Sequence, residues 1–197
     1  LVRYNMFVVM NFSNIQLSSA LRSIPAGKLL LLDFGDFEKN GYSYTCQNFD
    51  QSFYDALMVL EPSLRSYRQL SLVFPPQISR PESAVGYFQR FCSDNHFECK
   101  VYKNDRTGIE KYTCYVCIDS GDLVKIIKEA DALGWEIGRE IGVVAYNDNP
   151  ILEVIKNGIT AISVDFGLMG EMAAAYVLNK KPVQKFLPTN VILRKSV

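Results

Sequence analysis

The stretch that decides the fold is residues 112–148, YTCYVCIDSGDLVKIIKEADALGWEIGREIGVVAYND. Residues 112–118 and 141–146 are runs of β-branched and aromatic side chains, which are typical of strands. Gly134 stands where a glycine ends a helix. Between the two runs, four apolar residues recur at the spacing of one helix face: Leu123, Ile126, Ile127 and Ala130. The stretch therefore predicts a strand–helix–strand crossover.

The same alternation extends over the chain in both directions. Further strand-like runs lie at residues 5–10, 29–33, 69–74, 97–102 and 159–164. Apolar stripes of helical period separate them: Phe53, Ala56, Leu57 and Leu60; Val85, Phe88 and Cys92; and Met169, Met172, Ala173, Tyr176 and Val177. Alternation of this kind predicts an α/β fold with largely parallel sheets that are covered by helices.

Composition narrows the possible functions. The chain has 21 basic and 21 acidic residues, which argues against DNA binding by positive charge alone and against disorder. Its longest apolar runs, residues 6–10 and 172–178, are far shorter than the roughly 18–20 residues of a membrane span. The odd cysteine count and the lack of a visible signal peptide favour a cytoplasmic protein with no membrane partner.

Cys114 and Cys117 have the CxxC spacing of zinc and redox sites. They lie within a predicted strand, however, where positions three apart point to opposite faces. No second CxxC accompanies them, and His96, the single histidine, lies in a polar turn that we expect to be exposed. We therefore predict two buried structural cysteines and no metal site. The chain also lacks the standard phosphate-binding loops and a Ser–His–acid set, so we predict no catalytic residue and no cofactor.

Polar side chains follow several of the predicted strands. In parallel sheets, ligands bind beyond the carboxyl ends of the strands. Asp119 and Asn147 end two strands of the decisive stretch, and Ser79 and Arg80 follow the strand at 69–74. Such side chains suit a small molecule rich in hydroxyl groups. A purely structural role, in which Asp119 only caps the helix that follows, fits the spacing as well as ligand binding does.

The decisive stretch resembles the effector-binding domain of lactose- and galactose-repressor-type transcriptional regulators. The likeness rests on YTCYVCIDS at 112–120, GWEI at 134–137 and IGVVAYND at 141–148. ITAISVDFGLMG at 159–170 and LPTNVILRKS at 187–196, with its Arg-x-Ser ending, are also similar to that family. Before residue 70 the similarity is looser. The resemblance implies a type I periplasmic-binding-protein-like fold with two lobes of parallel sheets covered by helices.

The resemblance also implies where the lobes lie in the chain. Residues 1–45 and 165–181 would form a first lobe that is incomplete at its N-terminus. Residues 46–164 and 182–197 would form the second lobe. A DNA-binding head, of either helix-turn-helix or winged-helix class, would be absent from this chain.

From the resemblance we expect a ligand-sensing domain that binds a sugar or sugar derivative in the cleft between the lobes. It implies no enzymatic activity, a homodimer, and contact with operator DNA only through the missing head. The expected ligand-binding residues are Asp119, Asn147, Gln47, Asn48, Ser79 and Arg80.

The chain departs from the family pattern at several ligand positions. Asp119 stands for the usual Asn, and Asn147 for the first Asp of an Asp-Asp pair. Ser83 and Val164 replace a ligand-binding Arg and Gln, with Arg80 one turn before Ser83. The effector is therefore not to be inferred from the lactose or galactose repressors.

Two other functional classes compete with the sensor. A periplasmic sugar-binding protein for transport or chemotaxis would have the same fold, and the sequence upstream of Leu1 would distinguish it by a signal peptide. A small α/β enzyme is disfavoured because the sequence offers no nucleophile–base pair.

Overall fold

The computed structural model describes residues 3–10, 19–32, 41–48, 50–75 and 83–197. Within these residues, strands and helices alternate in this order: β1 (Phe7–Met10), α1 (Ser19–Arg22), β2 (Leu29–Leu32), β3 (Ser43–Gln47), α2 (Gln51–Leu64), β4 (Gln69–Val73), α3 (Ser83–Asp94), β5 (Glu98–Tyr102), β6 (Thr113–Cys117), α4 (Ser120–Leu133), β7 (Gly142–Tyr146), α5 (Ile151–Val154), β8 (Thr160–Val164), α6 (Phe166–Asn179), β9 (Gln184–Leu187) and β10 (Thr189–Ile192). The predicted α/β class is confirmed.

The chain divides into two compact units. Unit 1 comprises Leu1–Asn48, Gln77–Pro81 and Val164–Pro188, and unit 2 comprises Phe49–Pro76, Glu82–Ser163 and Thr189–Val197.

Unit 1 is built on a four-stranded sheet of order β1-β2-β3-β9, in which all neighbouring strands are parallel. The apolar strand β2 is one of its two inner strands, and Leu29, Leu30 and Leu31 are fully buried. One face of β2 packs against α6, where Leu30 contacts a cluster with Ala173 and Tyr176. A strand that is covered on both faces needs apolar residues at every position, which explains the run of leucines.

Unit 2 contains a six-stranded sheet of order β10-β8-β7-β6-β4-β5. Strands β5, β4, β6, β7 and β8 run parallel to one another. Every residue of β4, β6, β7 and β8 is buried. Helix α4 covers this sheet with the predicted stripe, and Gly134 ends the helix in the left-handed conformation at φ 67°.

Two of the crossings between the units lie a few residues later than the sequence predicts. Strand β9 pairs with β3, from Tyr44 opposite Gln184 to Gln47 opposite Leu187. Residues 182–188 therefore belong to unit 1 and not to the second lobe. The same pairing keeps residues 46–48 in unit 1.

Two helical predictions are corrected. Helix α3 buries Ala84, Phe88, Phe91 and Cys92, because the Phe91 ring and not Val85 completes the core face. In α6 the predicted Val177 is exposed, while Met169, Ala173 and Tyr176 are buried.

The predicted burial of Cys114 and Cys117 and the predicted exposure of His96 are confirmed. Cys114 and Cys117 are buried in β6, and burial raises the pKa of both thiols. His96 is exposed. Among the described residues, no three His, Cys, Asp or Glu side chains are grouped so that they could hold a metal ion. In the same part of the chain, no helix has the length and apolar character that crossing a membrane requires.

Candidate ligand site at the carboxyl edge of unit 2

The carboxyl edge of the unit 2 sheet, defined as the residues that directly follow β6 and β7, brings Asp119 and Asn147 together. In the register of these strands Cys117 lies opposite Ala145. Two further residues along each strand place Asp119 level with Asn147. Adjacent strands lie about 4.8 Å apart, so the two residues are neighbours.

Asp119 is the N-cap of α4. Its Oδ1 atom accepts a hydrogen bond from the backbone N–H of Gly121 at 2.7 Å, and the side chain is exposed. The alternative structural role of Asp119 is therefore present in the structure. A carboxylate has a second oxygen, and capping through Oδ1 leaves Oδ2 as a further acceptor for a ligand. Capping and ligand binding are compatible at this residue.

Asn147 is held in the left-handed conformation at φ 66°, which Asn tolerates better than most residues. Its backbone N–H donates to the carbonyl of Ile162 in β8 at 2.8 Å, which fixes the residue at the end of β7. Its Oδ1 atom is buried and has no hydrogen-bond partner among the described residues. A buried acceptor without a donor costs about 1–3 kcal/mol. A ligand hydroxyl would remove this cost.

The next residue, Asp148, is engaged within the protein. Both of its carboxylate oxygens accept from the guanidinium of Arg194, at 2.8 and 2.9 Å. Nη1 of Arg194 also donates to the backbone carbonyl of Ile159 at 2.7 Å. Sequence reasoning noted the Arg-x-Ser ending without assigning this role. Asp148 is therefore a structural residue.

Residues 194–196, which we call the C-terminal clasp, tie the chain end to β7 and β8. The Ser196 hydroxyl donates to the carbonyl of Val143 at 2.5 Å and accepts from the N–H of Thr160 at 2.8 Å. The N–H of Val143 donates in turn to the Ser196 carbonyl at 2.9 Å. The clasp thus supports the strand that carries Asn147.

Replacing Ser196 by alanine should lower the free energy of unfolding by about 1.5 kcal/mol, because it leaves the buried N–H of Thr160 without its acceptor. Urea unfolding measures the change. Ser93→Ala, at an exposed position of α3, is the matched control and should stay within about 0.5 kcal/mol of the parent. Equal losses in the two variants would contradict the role of the clasp.

Two of the other predicted ligand residues, Gln47 and Asn48, lie in unit 1. Gln47 is the last residue of β3 in unit 1 and is almost fully buried, and the half-buried Asn48 follows it. Ser79 and Arg80 lie outside the described residues, so their role stays a prediction.

Cations near the carboxyl edge are paired with carboxylates. Arg106, whose side chain is only 9% exposed, binds both oxygens of Glu129 at 2.7 and 2.6 Å. Lys125 binds Asp122 at 2.9 Å. Asp119 thus adds a negative charge to an edge near which Arg106 and Lys125 are each paired with a carboxylate.

The hydrogen bonds from Arg106 lower the pKa of Glu129 below its usual range. A carboxyl whose pKa is depressed by folding stabilises the fold above its unfolded pKa of about 4.3, and this contribution disappears as the pH falls through the folded value. We therefore expect Glu129→Gln to be less stable than the parent at pH 7 and the gap to close at acidic pH. Urea unfolding at both pH values tests this, with Glu171→Gln on the exposed face of α6 as control at pH 7. A gap that is constant with pH would contradict the assignment.

Comparison with known families assigns the chain to a family. Residues 84–197, more than half of the chain, match the model of the periplasmic binding protein-like domain. The chain belongs to this family. Curated proteins, in contrast, offer no significant sequence match.

Solved structures of periplasmic-binding-protein-like regulators share the fold. A LacI family transcriptional regulator from Lactobacillus casei with bound sucrose has a TM-score of 0.75 at 15% identity, and the match covers 100% of this chain and 80% of that one. A periplasmic binding protein/LacI transcriptional regulator from Alkaliphilus metalliredigens QYMF, complexed with D-xylulofuranose, has a TM-score of 0.75 at 12% identity over 99% and 78%. A transcription regulator like protein from Staphylococcus haemolyticus reaches 0.74 at 12% identity over 98% and 75%. The expected type I periplasmic-binding-protein-like fold, and the resemblance to this class of regulators, are confirmed.

Proposed function

We propose that this periplasmic-binding-protein-like chain is the ligand-sensing domain of a bacterial transcriptional regulator, that it binds a neutral sugar or sugar derivative, and that it is not an enzyme. The observation that carries the proposal is the buried, unsatisfied Oδ1 of Asn147 beside Asp119 at the carboxyl edge of unit 2.

The chemistry of these two residues favours a ligand that donates hydrogen bonds. Asp119 offers a carboxylate oxygen, and the buried Oδ1 of Asn147 is also an acceptor. Sugar hydroxyls donate to such acceptors, and an unpaired acceptor in a dry site is costly. The two residues together suit adjacent hydroxyl groups of one ligand.

Within the described part of the chain, charge favours a neutral sugar over a phosphorylated one. The cations Arg106, Lys125 and Arg194 each bind a carboxylate of the protein. An anionic ligand would meet the Asp119 carboxylate without a free cation from these residues. Sucrose and D-xylulofuranose, which occupy two of the similar structures, are neutral molecules rich in hydroxyl groups, and they support this class by analogy.

A thermal-shift screen tests the proposal. The panel contains neutral mono- and disaccharides, each beside its phosphorylated counterpart. At a hundredfold excess over Kd, one neutral member should raise the Tm by about 5 °C, and its phosphate ester should shift the Tm less. Shifts with phosphate esters alone would contradict the neutral class, and a panel without any shift would contradict sugar sensing.

We further propose that the intact regulator is a cytoplasmic homodimer that reaches operator DNA through a head outside this sequence. Exposed apolar side chains on α4 and α5 are the proposed contact: Val124, Leu133, Ile151 and Val154. The last two both lie on the short helix α5 and are 61% and 76% exposed, so one partner surface would cover both of them.

Sedimentation of the intact protein should therefore show a dimer, and Val154→Asp should shift it toward the monomer. Val59→Asp, at an exposed apolar position of α2, is the control and should leave the dimer intact. A monomer at every concentration would contradict the dimer, and equal effects of both variants would contradict the proposed surface.

A further inference from the structure

One side chain of the C-terminal clasp reaches the residue that follows Asn147. The guanidinium of Arg194 binds both carboxylate oxygens of Asp148, and its Nη1 atom also donates to the carbonyl of Ile159 at 2.7 Å. The side chains of Arg194 and Asp148 are only 15% and 22% exposed. Because arginine presents its N–H groups in a rigid planar fork, these hydrogen bonds fix Asp148 in orientation as well as in distance.

Arg194 is itself held at its backbone and along its side chain. Its N–H donates to the Thr160 hydroxyl at 2.9 Å, and that hydroxyl donates to the Arg194 carbonyl at 3.1 Å. The aliphatic part of the side chain lies over Gly158, where a Cβ atom would be 3.0–3.4 Å from three Arg194 carbons. Arg194 is therefore a fixed point to which Asp148 is attached.

The turn at residues 147–149 is where this attachment has its effect. Asn147 keeps a left-handed backbone at φ 66°, a region that residues with side chains occupy less readily than the extended or helical regions. Its N–H is bonded to β8, and the Oδ1 atom of Asn149 accepts from the first N–H of α5 at 3.1 Å. Asp148 lies between these two attachments, so the contact with Arg194 fixes the middle of the turn.

We propose that Arg194 is a positioning residue for sugar binding, which holds Asn147 in the left-handed conformation of the ligand site by binding the adjacent Asp148. The inference rests on the proposed function, because the ligand is the sugar of that proposal. The hydrogen bonds from Arg194 to Asp148 and Ile159, together with the left-handed backbone of Asn147, carry it.

Arg194→Lys tests the proposal, because lysine keeps the charge but cannot make all the hydrogen bonds of the guanidinium at once. Calorimetry with the sugar that raises the Tm of the parent should give a Kd about tenfold higher. Arg65→Lys is the control. Arg65 also binds a carboxylate, that of Glu61, and donates to a backbone carbonyl, that of Asn95, but it lies at the end of α2 that leads into β4. The control should bind the sugar as the parent does.

A double variant tests whether Arg194 acts through Asp148. Asp148→Asn weakens the same contact from the other side, so it should also raise the Kd for the sugar. When Asp148→Asn and Arg194→Lys are combined, the two losses of affinity should not add, because both changes break one contact. Losses that add in full would overturn the proposed route.

Hydrogen exchange of the sugar-free chain tests the positioning step without a ligand. In Arg194→Lys, exchange at the amide of Asn147 should accelerate by a larger factor than exchange at the amides of β6. A residue that only stabilises the fold would accelerate both by the same factor. Equal factors, or an affinity of Arg194→Lys equal to that of the parent, would overturn the proposal. A parent that binds no sugar would instead overturn the proposed function, and hydrogen exchange would still show whether Arg194 holds Asn147.

Discussion

Replacing Gly138 by alanine is expected to lower the free energy of unfolding by about 3 kcal/mol, through backbone strain and overpacking together. Gly138 has φ 89°, a conformation that side chains rarely adopt, and its N–H donates to the Ile141 carbonyl at 2.8 Å. A Cβ atom there would overlap the carbonyl oxygen of Lys195. Because Lys195 is the middle residue of the C-terminal clasp, relieving the overlap would displace the clasp from β7.

The variant Gly134→Ala is the control for Gly138→Ala, because it introduces the backbone strain without the steric overlap. Gly134 also has positive φ, at 67°, but a Cβ atom there would have no atom within 4 Å apart from those of its own neighbours along the chain. Its replacement should cost only the conformational penalty of about 1 kcal/mol. Urea unfolding followed by circular dichroism measures both variants. Losses of equal size would show that the contact between Gly138 and the clasp does not stabilise unit 2.

Replacing Asp119 by alanine should weaken binding of the sugar found in the screen by about 2 kcal/mol or more, roughly 30-fold in Kd. The change leaves a ligand hydroxyl without its acceptor. It also removes the helix cap on Gly121, which should lower the free energy of unfolding by about 1 kcal/mol. Isothermal titration calorimetry and urea unfolding measure the two effects separately.

Asp119→Asn distinguishes the two roles of this residue. Asn caps helices as well as Asp, so the free energy of unfolding should stay within about 0.5 kcal/mol of the parent. The new amide nitrogen cannot accept a hydrogen bond, so the affinity for the sugar should still fall. If the alanine variant lost stability while both variants bound the sugar as the parent does, Asp119 would be a helix cap only.

The β6–α4–β7 crossover was predictable because its signals are local. Strands buried on both faces are continuous apolar runs, and β6 and β7 are buried at every residue. Helix α4 has one apolar stripe and ends at a glycine whose left-handed conformation the sequence suggests. Neither feature depends on a distant part of the chain.

Strands β3 and β9 were not predictable in this way. Three of the four residues of β9 are exposed, so its sequence, QKFL, shows no buried run. Its partner β3 lies about 140 residues earlier in the chain. The pairing of Tyr44 with Gln184 forms only when the unit folds, so no local sequence pattern indicates it. For this reason the predicted boundaries between the units differ from the observed ones by a few residues.

The position of the candidate site was predictable from the sequence, but the hydrogen-bond partners of its side chains were not. The strand-end rule identified Asp119 and Asn147, because that rule needs only the strand boundaries. Whether an acidic residue is available to a ligand depends on remote partners. Asp148 binds Arg194, which lies 46 residues later, and a sequence without coordinates does not show this pair.

Amide chemical shifts of the ¹⁵N-labelled chain, recorded during titration with the sugar from the screen, test most directly whether the carboxyl edge of unit 2 is a sugar site. We predict that the largest changes within unit 2 occur at residues 118–121 and 147–149, around the N-cap of α4 and the end of β7. Changes in unit 2 confined to its amino edge, at residues 112–113 and 141–142, or saturating sugar without changes at the carboxyl edge, would contradict the proposed site.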